Sequence, residues 1–131
     1  MKANDIFEQA MLMYGMVNTD GVVDETRAAP YRQRAVAAIN LLQRDIYRLE
    51  NPPVCAGGTA GTAKDITSLG DDVAVSDDSA GRCLVYGLVM AFAEQDRDDF
   101  LYNTYAAEYQ SRLAAIAQPS GRIRNVRRRM F

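Results

Sequence analysis

The sequence predicts an all-α protein, a compact bundle of about four helices, and three segments carry that prediction. Between residues 35 and 49, apolar side chains recur every three or four positions, which is the period of one helix face. Residues 83–93 are apolar nearly all round, as expected of a central helix that is covered on several sides. Between residues 102 and 116, tyrosines and aliphatic side chains share one helix face. The 131 residues amount to about one domain.

The first two helices are predicted over residues 4–17 and from about residue 30 to residue 49. Asp5 and Glu8 have the spacing of a capping box at the start of the first helix. The turn NTDG follows it, with Gly21 suited to a left-handed backbone. Pro30 fits the first turn of the second helix, whose apolar stripe is Ala35, Ile39, Leu42, Ile46 and Leu49.

A long loop or arm is predicted over residues 50–76, because two prolines end the second helix and small residues follow. The pattern allows a short strand near residues 73–75. The stretch GGTAGTAK has the composition of a phosphate-binding loop, but no Ser or Thr follows its lysine and no apolar strand precedes it. A flexible arm is therefore favoured over a nucleotide site, and its flexible residues are Gly57, Gly58, Gly61 and Lys64.

The third and fourth helices are predicted from Ser76 or Asp77 to about Glu94, and over residues 98–117. The acidic stretch EQDRDD between them is interpreted as a turn whose aspartates cap the next helix, rather than as an active site. Gly87, with Ala91 four residues on, would let another helix approach closely. The aromatic face of the fourth helix, expected to be core or subunit interface, comprises Tyr102, Tyr105, Tyr109, Leu113 and Ile116.

The charge of the chain is divided between an acidic body and a basic end. Net charge is −2, yet five of the 15 basic residues lie in the last ten positions. Residues 1–121 form the predicted single helical domain and hold 10 basic against 17 acidic residues, a balance of −7. The tail, residues 122–131, is expected to dock on an acidic protein surface or on nucleic acid, and its contact residues are Arg122, Arg124, Arg127, Arg128, Arg129 and Phe131.

The residue types present argue against an enzyme. Histidine, the commonest general base and transition-metal ligand, is absent from the sequence. Cys55 and Cys83 are 28 positions apart and complete no zinc motif. The aspartate clusters lack the order of a calcium loop, so helix caps and solvated turns explain them better than a metal site. We therefore expect no catalytic residue, metal or cofactor, and no membrane or secretory segment is predicted.

Taken in order, three stretches of the sequence resemble one family of proteins. They are GVVDETRAAPYRQRAVAAINLLQRDIYRL, then DITSLGDDVAV, then CLVYGLVMAFAEQDRDDFLYNTYAAEYQSRLAAI. Over about residues 4–117 this pattern is similar to the small helical head–tail connector (adaptor or head-completion) proteins of tailed bacteriophages and prophages. The most specific part is an apolar helix with a Tyr-Gly pair that enters an acidic turn and then an aromatic helix.

This resemblance implies a structural protein rather than an enzyme. Connectors of this family form rings between the portal and the tail, with loops and terminal arms that reach neighbouring subunits. It implies homo-oligomeric assembly, contact with portal and other neck proteins, and a place in the virion neck or, during assembly, the host cytoplasm. The alternative is a small helical DNA-binding or regulatory protein that uses the arginine-rich tail, although the acidic body and the lack of a basic recognition helix weaken it.

Overall fold

The computed structural model describes residues 1–52 and 62–117, and the regular structure in these ranges is helical, as the sequence predicts. No β-strand lies in them; two isolated bridges pair Lys2 with Asp72 and Val17 with Val23. The third helix, α3, covers residues 77–95 as Asp77–Ser79, one π-helical turn at Ala80–Leu84, and Val85–Gln95. The other helices are α1 Ala3–Met13, α2 Glu25–Glu50 and α4 Asp99–Ala117.

Helix α3 is the centre of the bundle and packs against α1, α2 and α4. Its apolar side chains are buried almost all round, as expected from the sequence. The Phe92 ring makes edge-to-face contacts with Phe7 of α1 and Tyr31 of α2, at centroid distances of 6.4 and 5.1 Å. The predicted stripe of α2 also faces the core, with Ala35, Ile39, Leu42 and Ile46 buried.

The limits and caps of α1 and α2 differ from the prediction, and α1 ends at Met13 rather than at residue 17. Lys2 occupies the N-cap of α1 without a side-chain cap, and the amides of Ala3 and Asn4 instead donate to the carbonyls of Asp71 and Leu69. Helix α2 begins at Glu25 because the Asp24 carboxylate accepts from the amides of the next turn, at 3.1 and 3.4 Å. Pro30 consequently lies in the second turn of α2 rather than the first.

The segment of residues 62–76 has no regular secondary structure, but side chains of α2 hold it against the bundle. Buried Gln43 donates through Nε2 to the Lys64 carbonyl at 3.1 Å and accepts from the Ala74 amide at 3.0 Å. Asn40 exchanges two hydrogen bonds with the backbone of Ile66, at 2.8 and 3.1 Å. This part of the predicted arm is docked, and residues 73–75 form no strand or hairpin, although the sequence pattern allowed one.

The predicted turn between α3 and α4 is present, and α4 covers residues 99–117 almost as expected. Ser76 caps α3, since its hydroxyl accepts from the Ser79 amide at 3.2 Å. In the described parts of the chain, no helix is long and apolar enough to cross a membrane.

Candidate functional site

The turn between α3 and α4 holds four acidic side chains within residues 94–99, the densest acidic cluster in the sequence. We define the acidic corner as Glu94, Asp96, Asp98 and Asp99, together with Arg97. Its side chains are exposed except that of Asp98, which is partly buried. Phe100 follows directly and is 78% exposed, the highest value among the exposed large apolar side chains of the described residues.

The backbone of the acidic corner forms a Schellman-type helix end. The Asp98 amide donates to the Ala93 carbonyl at 2.9 Å, and the Arg97 amide donates to the Glu94 carbonyl at 3.1 Å. This motif needs a left-handed residue just after the helix, and Arg97 takes that conformation at a φ of 57°. Glycine normally occupies such a position because it has no Cβ. Arg97 is therefore a strained residue as well as the cation of the corner.

Asp96 joins the corner to the first two helices. Its Oδ2 accepts from the Tyr14 hydroxyl at 2.7 Å and also from the Tyr31 hydroxyl. The two tyrosine rings meet edge to face at 5.6 Å. Burial, followed by the hydrogen bond to Asp96, raises the pKa of both tyrosines. The carboxylate thus ties α1, α2 and α3 together at one end of the bundle.

Asp98 acts as the cap that the sequence predicts at this turn. Its Oδ1 accepts from the Leu101 amide at 3.1 Å in the first turn of α4. The interpretation of EQDRDD as a turn is consistent with this geometry. The anchoring role of Asp96 was not predicted, because Tyr14 and Tyr31 lie 82 and 65 residues away in sequence and no local pattern marks them.

An apolar groove between α2 and α3 opens onto the acidic corner. It is lined by the small side chains Ala37, Ala38 and Ala91, of which Ala37 is exposed, with Met90 half-buried beside them. Leu41 stands on its rim and is 63% exposed. Glu94 and Gln95 line the end nearest the corner, so groove and corner are continuous.

Ion pairs are distributed unevenly over the described surface. Lysine or arginine side chains pair with Asp72, Glu25, Asp65, Asp78 and Glu108. Within residues 1–52 and 62–117, no carboxylate of the acidic corner forms an ion pair. The corner therefore presents uncompensated negative charge next to exposed apolar side chains.

The other aspartate clusters are used in local structure. Asp71 accepts from the amide and hydroxyl of Thr67 and the amide of Ser68, and these hydrogen bonds lower its pKa. Asp78 pairs with Arg82 one turn along α3 at 2.9 Å. Among the described residues, no three cysteine or acidic side chains converge as a metal site would require.

Glu50 stabilises the beginning of α3 from the last turn of α2. Its carboxylate accepts from the amide and hydroxyl of Ser76 and from the hydroxyl of Ser79. Burial alone would raise the pKa of Glu50, but these hydrogen bonds outweigh it and the pKa is lowered. The cluster of Glu50, Ser76 and Ser79 joins α2 to α3, and its carboxylate is already engaged in hydrogen bonds.

The sequence-predicted site residues are only partly within the described chain. Arg122, Arg124, Arg127, Arg128, Arg129 and Phe131 lie outside it, as do Gly57, Gly58, Gly61 and Cys55. Lys64 is described: its side chain is exposed, while its backbone is held by Gln43. Cys83 is fully buried, and burial raises the pKa of its thiol to about 11 despite the nearby charge of Arg112.

The chain matches no protein-family model, no curated protein and no solved structure.

Proposed function

We propose that this protein is a structural head–tail connector of a phage or prophage, which acts by assembling into a ring between portal and tail. The observation that carries the proposal is the separation of charge along the chain. The described body has a balance of −7 with an ion-pair-free acidic corner, while five arginines occupy the last ten positions. Such a chain can join copies of itself or neighbouring proteins head to tail.

The sequence resemblance supports the same function. The most specific part of the resemblance is an acidic turn followed by an aromatic helix. In the structure these are the acidic corner and α4. Tyr109 of that helix is used in the core, whereas Tyr102 and Tyr105 remain partly exposed. This leaves α4 with surface available for subunit contact.

The experiment is a binding assay with the portal protein and the other neck proteins of the phage or prophage to which the proposal assigns this chain. Full-length protein should bind portal rings and form a ring there, as judged by electron microscopy and analytical ultracentrifugation. A chain whose five tail arginines are glutamines keeps the length of the tail and should bind more weakly. Failure of both chains to bind any neck component would refute the connector function.

A DNA-binding regulator is the second candidate, favoured by the arginine-rich tail alone. Arginines in that number can contact several phosphates, which would give binding to duplex DNA that weakens steeply as salt is raised. The described body offers little support for DNA binding, because five of its basic side chains are already paired with carboxylates. Salt-sensitive, tail-dependent binding to duplex DNA without portal binding would favour the regulator.

A further inference from the structure

We infer that the groove between α2 and α3, together with the acidic corner, receives residues 122–131 of a second copy of this chain. We call this region the groove–corner surface; it comprises the residues that line the groove, Arg34 and Glu94 among them, and the corner residues 96–99. The inference rests on the proposed assembly function and names the surface through which copies join.

The apolar part of the surface matches the apolar residues of the tail. Leu41 exposes 63% of its surface, and the alanines beside it leave room for a side chain from outside. The tail carries Ile123 and Val126 between its arginines and ends in Phe131. A segment whose apolar residues are interspersed among arginines can place the apolar side chains in the groove and the arginines along its acidic end.

The charges of the groove–corner surface also match the tail. The corner holds four carboxylates and one arginine, and none of the carboxylates forms an ion pair with a described residue, although Asp96 and Asp98 accept hydrogen bonds. The other cation on the groove is Arg34, whose Nε donates to the Pro30 carbonyl at 3.1 Å and whose guanidinium lies 5.2 Å from the Tyr31 ring centroid. Arginine is suited to this partner because its guanidinium pairs with carboxylates in bidentate geometry.

The position at which the chain leaves the bundle favours a second copy over the chain's own tail. Helix α4 begins at the acidic corner and has 19 residues, so its end lies about 28 Å from the corner at ~1.5 Å per residue. Fourteen residues follow Ala117 in this sequence, and about eight of them would be needed to return at ~3.3–3.6 Å each. Arg122 therefore falls short of its own corner, and Arg127, Arg128 and Arg129 reach it only if the residues before them are almost fully extended, whereas the tail of a second copy is free of this constraint. The tail follows the end of α4, whereas the acidic corner precedes its start. A chain that donates from one end of a helix and receives at the other can form head-to-tail contacts.

The test uses a fluorescein-labelled synthetic peptide of residues 118–131 and measures its binding by anisotropy. The receptor is the full-length chain with its five tail arginines replaced by glutamine, so that its own tail does not compete. Combined Glu94→Gln and Asp99→Asn should weaken peptide binding about tenfold, since each exposed pair contributes about 0.2–1 kcal/mol. Leu41→Ser should weaken it about fivefold by removing apolar contact.

Two further variants separate a specific surface from general charge attraction. Combined Glu8→Gln and Asp20→Asn removes the same number of negative charges from exposed positions outside the surface, and binding should be unchanged. Arg97→Gly removes the cation of the corner at a position whose φ of 57° suits glycine. It should strengthen peptide binding about threefold while leaving the fold intact.

The outcomes distinguish this inference from the connector function. Equal peptide affinity for all variants, or equal weakening by the control pair, would overturn the groove–corner surface while portal binding could still stand. Exclusion of the peptide by the wild-type chain, at concentrations where ultracentrifugation shows a monomer, would mean that the chain's own tail occupies the surface. Loss of portal binding with the expected pattern of peptide affinities would instead refute the connector function alone.

Discussion

The Tyr109 ring of α4 lies directly against the backbone of Gly87 in α3. A Cβ atom at position 87 would stand 2.8 Å from Tyr109 Cε1 and 3.0 Å from Cδ2 of Leu42. Three helices therefore meet at one glycine, and α4 approaches α3 more closely than any side chain there would allow.

We expect Gly87→Ala to lower the free energy of unfolding by about 1 kcal/mol. Alanine gains about 1 kcal/mol of helix propensity, but overpacking a closed core loses about 1–3 kcal/mol. Gly81→Ala is the matched control, because a Cβ there would meet no atom within 4 Å beyond its chain neighbours and its own helix backbone, and it should be neutral or slightly stabilising. Urea unfolding followed by circular dichroism measures both, and equal stability of the two variants would contradict the packing argument.

Gln43→Leu should lower the free energy of unfolding by about 2–4 kcal/mol. Gln43 is fully buried, and leucine would leave the Ala74 amide and the Lys64 carbonyl without the partners described here. Amide exchange at Ala74 should also accelerate, because the segment of residues 62–76 loses its link to α2. The control is Gln110→Leu at an exposed position of α4, which should change stability by less than about 0.5 kcal/mol. Similar losses of stability in both variants would refute the proposal that Gln43 holds the segment of residues 62–76 against α2.

Apolar periodicity was sufficient to predict much of the fold. The stripe of α2, the buried character of α3 and the close approach at Gly87 all follow from spacing and side-chain size, which are local properties of the sequence. The limits of α4 follow from the acidic turn before it and from Pro119 after it.

The contacts that depend on distant residues could not be predicted in the same way. In the sequence, Gln43 is indistinguishable from an ordinary polar residue of a helix. Only the tertiary structure brings it to the backbone of Lys64 and Ala74. The start of α1 is capped by the carbonyls of Asp71 and Leu69, which are far away in sequence, rather than by its own side chains. The continuity of groove and corner likewise depends on how α2 packs against α3, so the sequence showed the charges but not the surface.

The hydrogen bond between Tyr14 and Asp96 should appear as a coupling energy of about 1 kcal/mol in a double-mutant cycle. Tyr14→Phe, Asp96→Ala and the double variant would be compared by urea unfolding. A modest value is expected because the Asp96 side chain is exposed. The cycle of Tyr14→Phe with Asp99→Ala is the control, since Asp99 accepts no tyrosine hydroxyl. Equal coupling in both cycles would show that the link through Asp96 does not stabilise the corner.

The protein should lose stability above about pH 10, and Tyr109→Phe should reduce that loss. Burial, followed by the charges of Cys83 and Asp45, raises the pKa of Tyr109 above its ordinary value of 10.0. The neutral phenol is then retained in the fold while the unfolded chain loses its proton, so this contribution is present below pH 10 and is lost as pH rises.

At pH 7 the same substitution should leave stability nearly unchanged, because the Tyr109 hydroxyl is buried and has no hydrogen-bond partner among the described residues. Tyr14→Phe is the contrasting variant: it should lose stability already at pH 7, since its hydroxyl donates to Asp96. Urea midpoints measured from pH 7 to about pH 11 test both expectations. A loss above about 1 kcal/mol for Tyr109→Phe at pH 7 would reveal a partner for the hydroxyl. A difference from wild type that stays constant with pH would show that ionisation of Tyr109 does not oppose the fold.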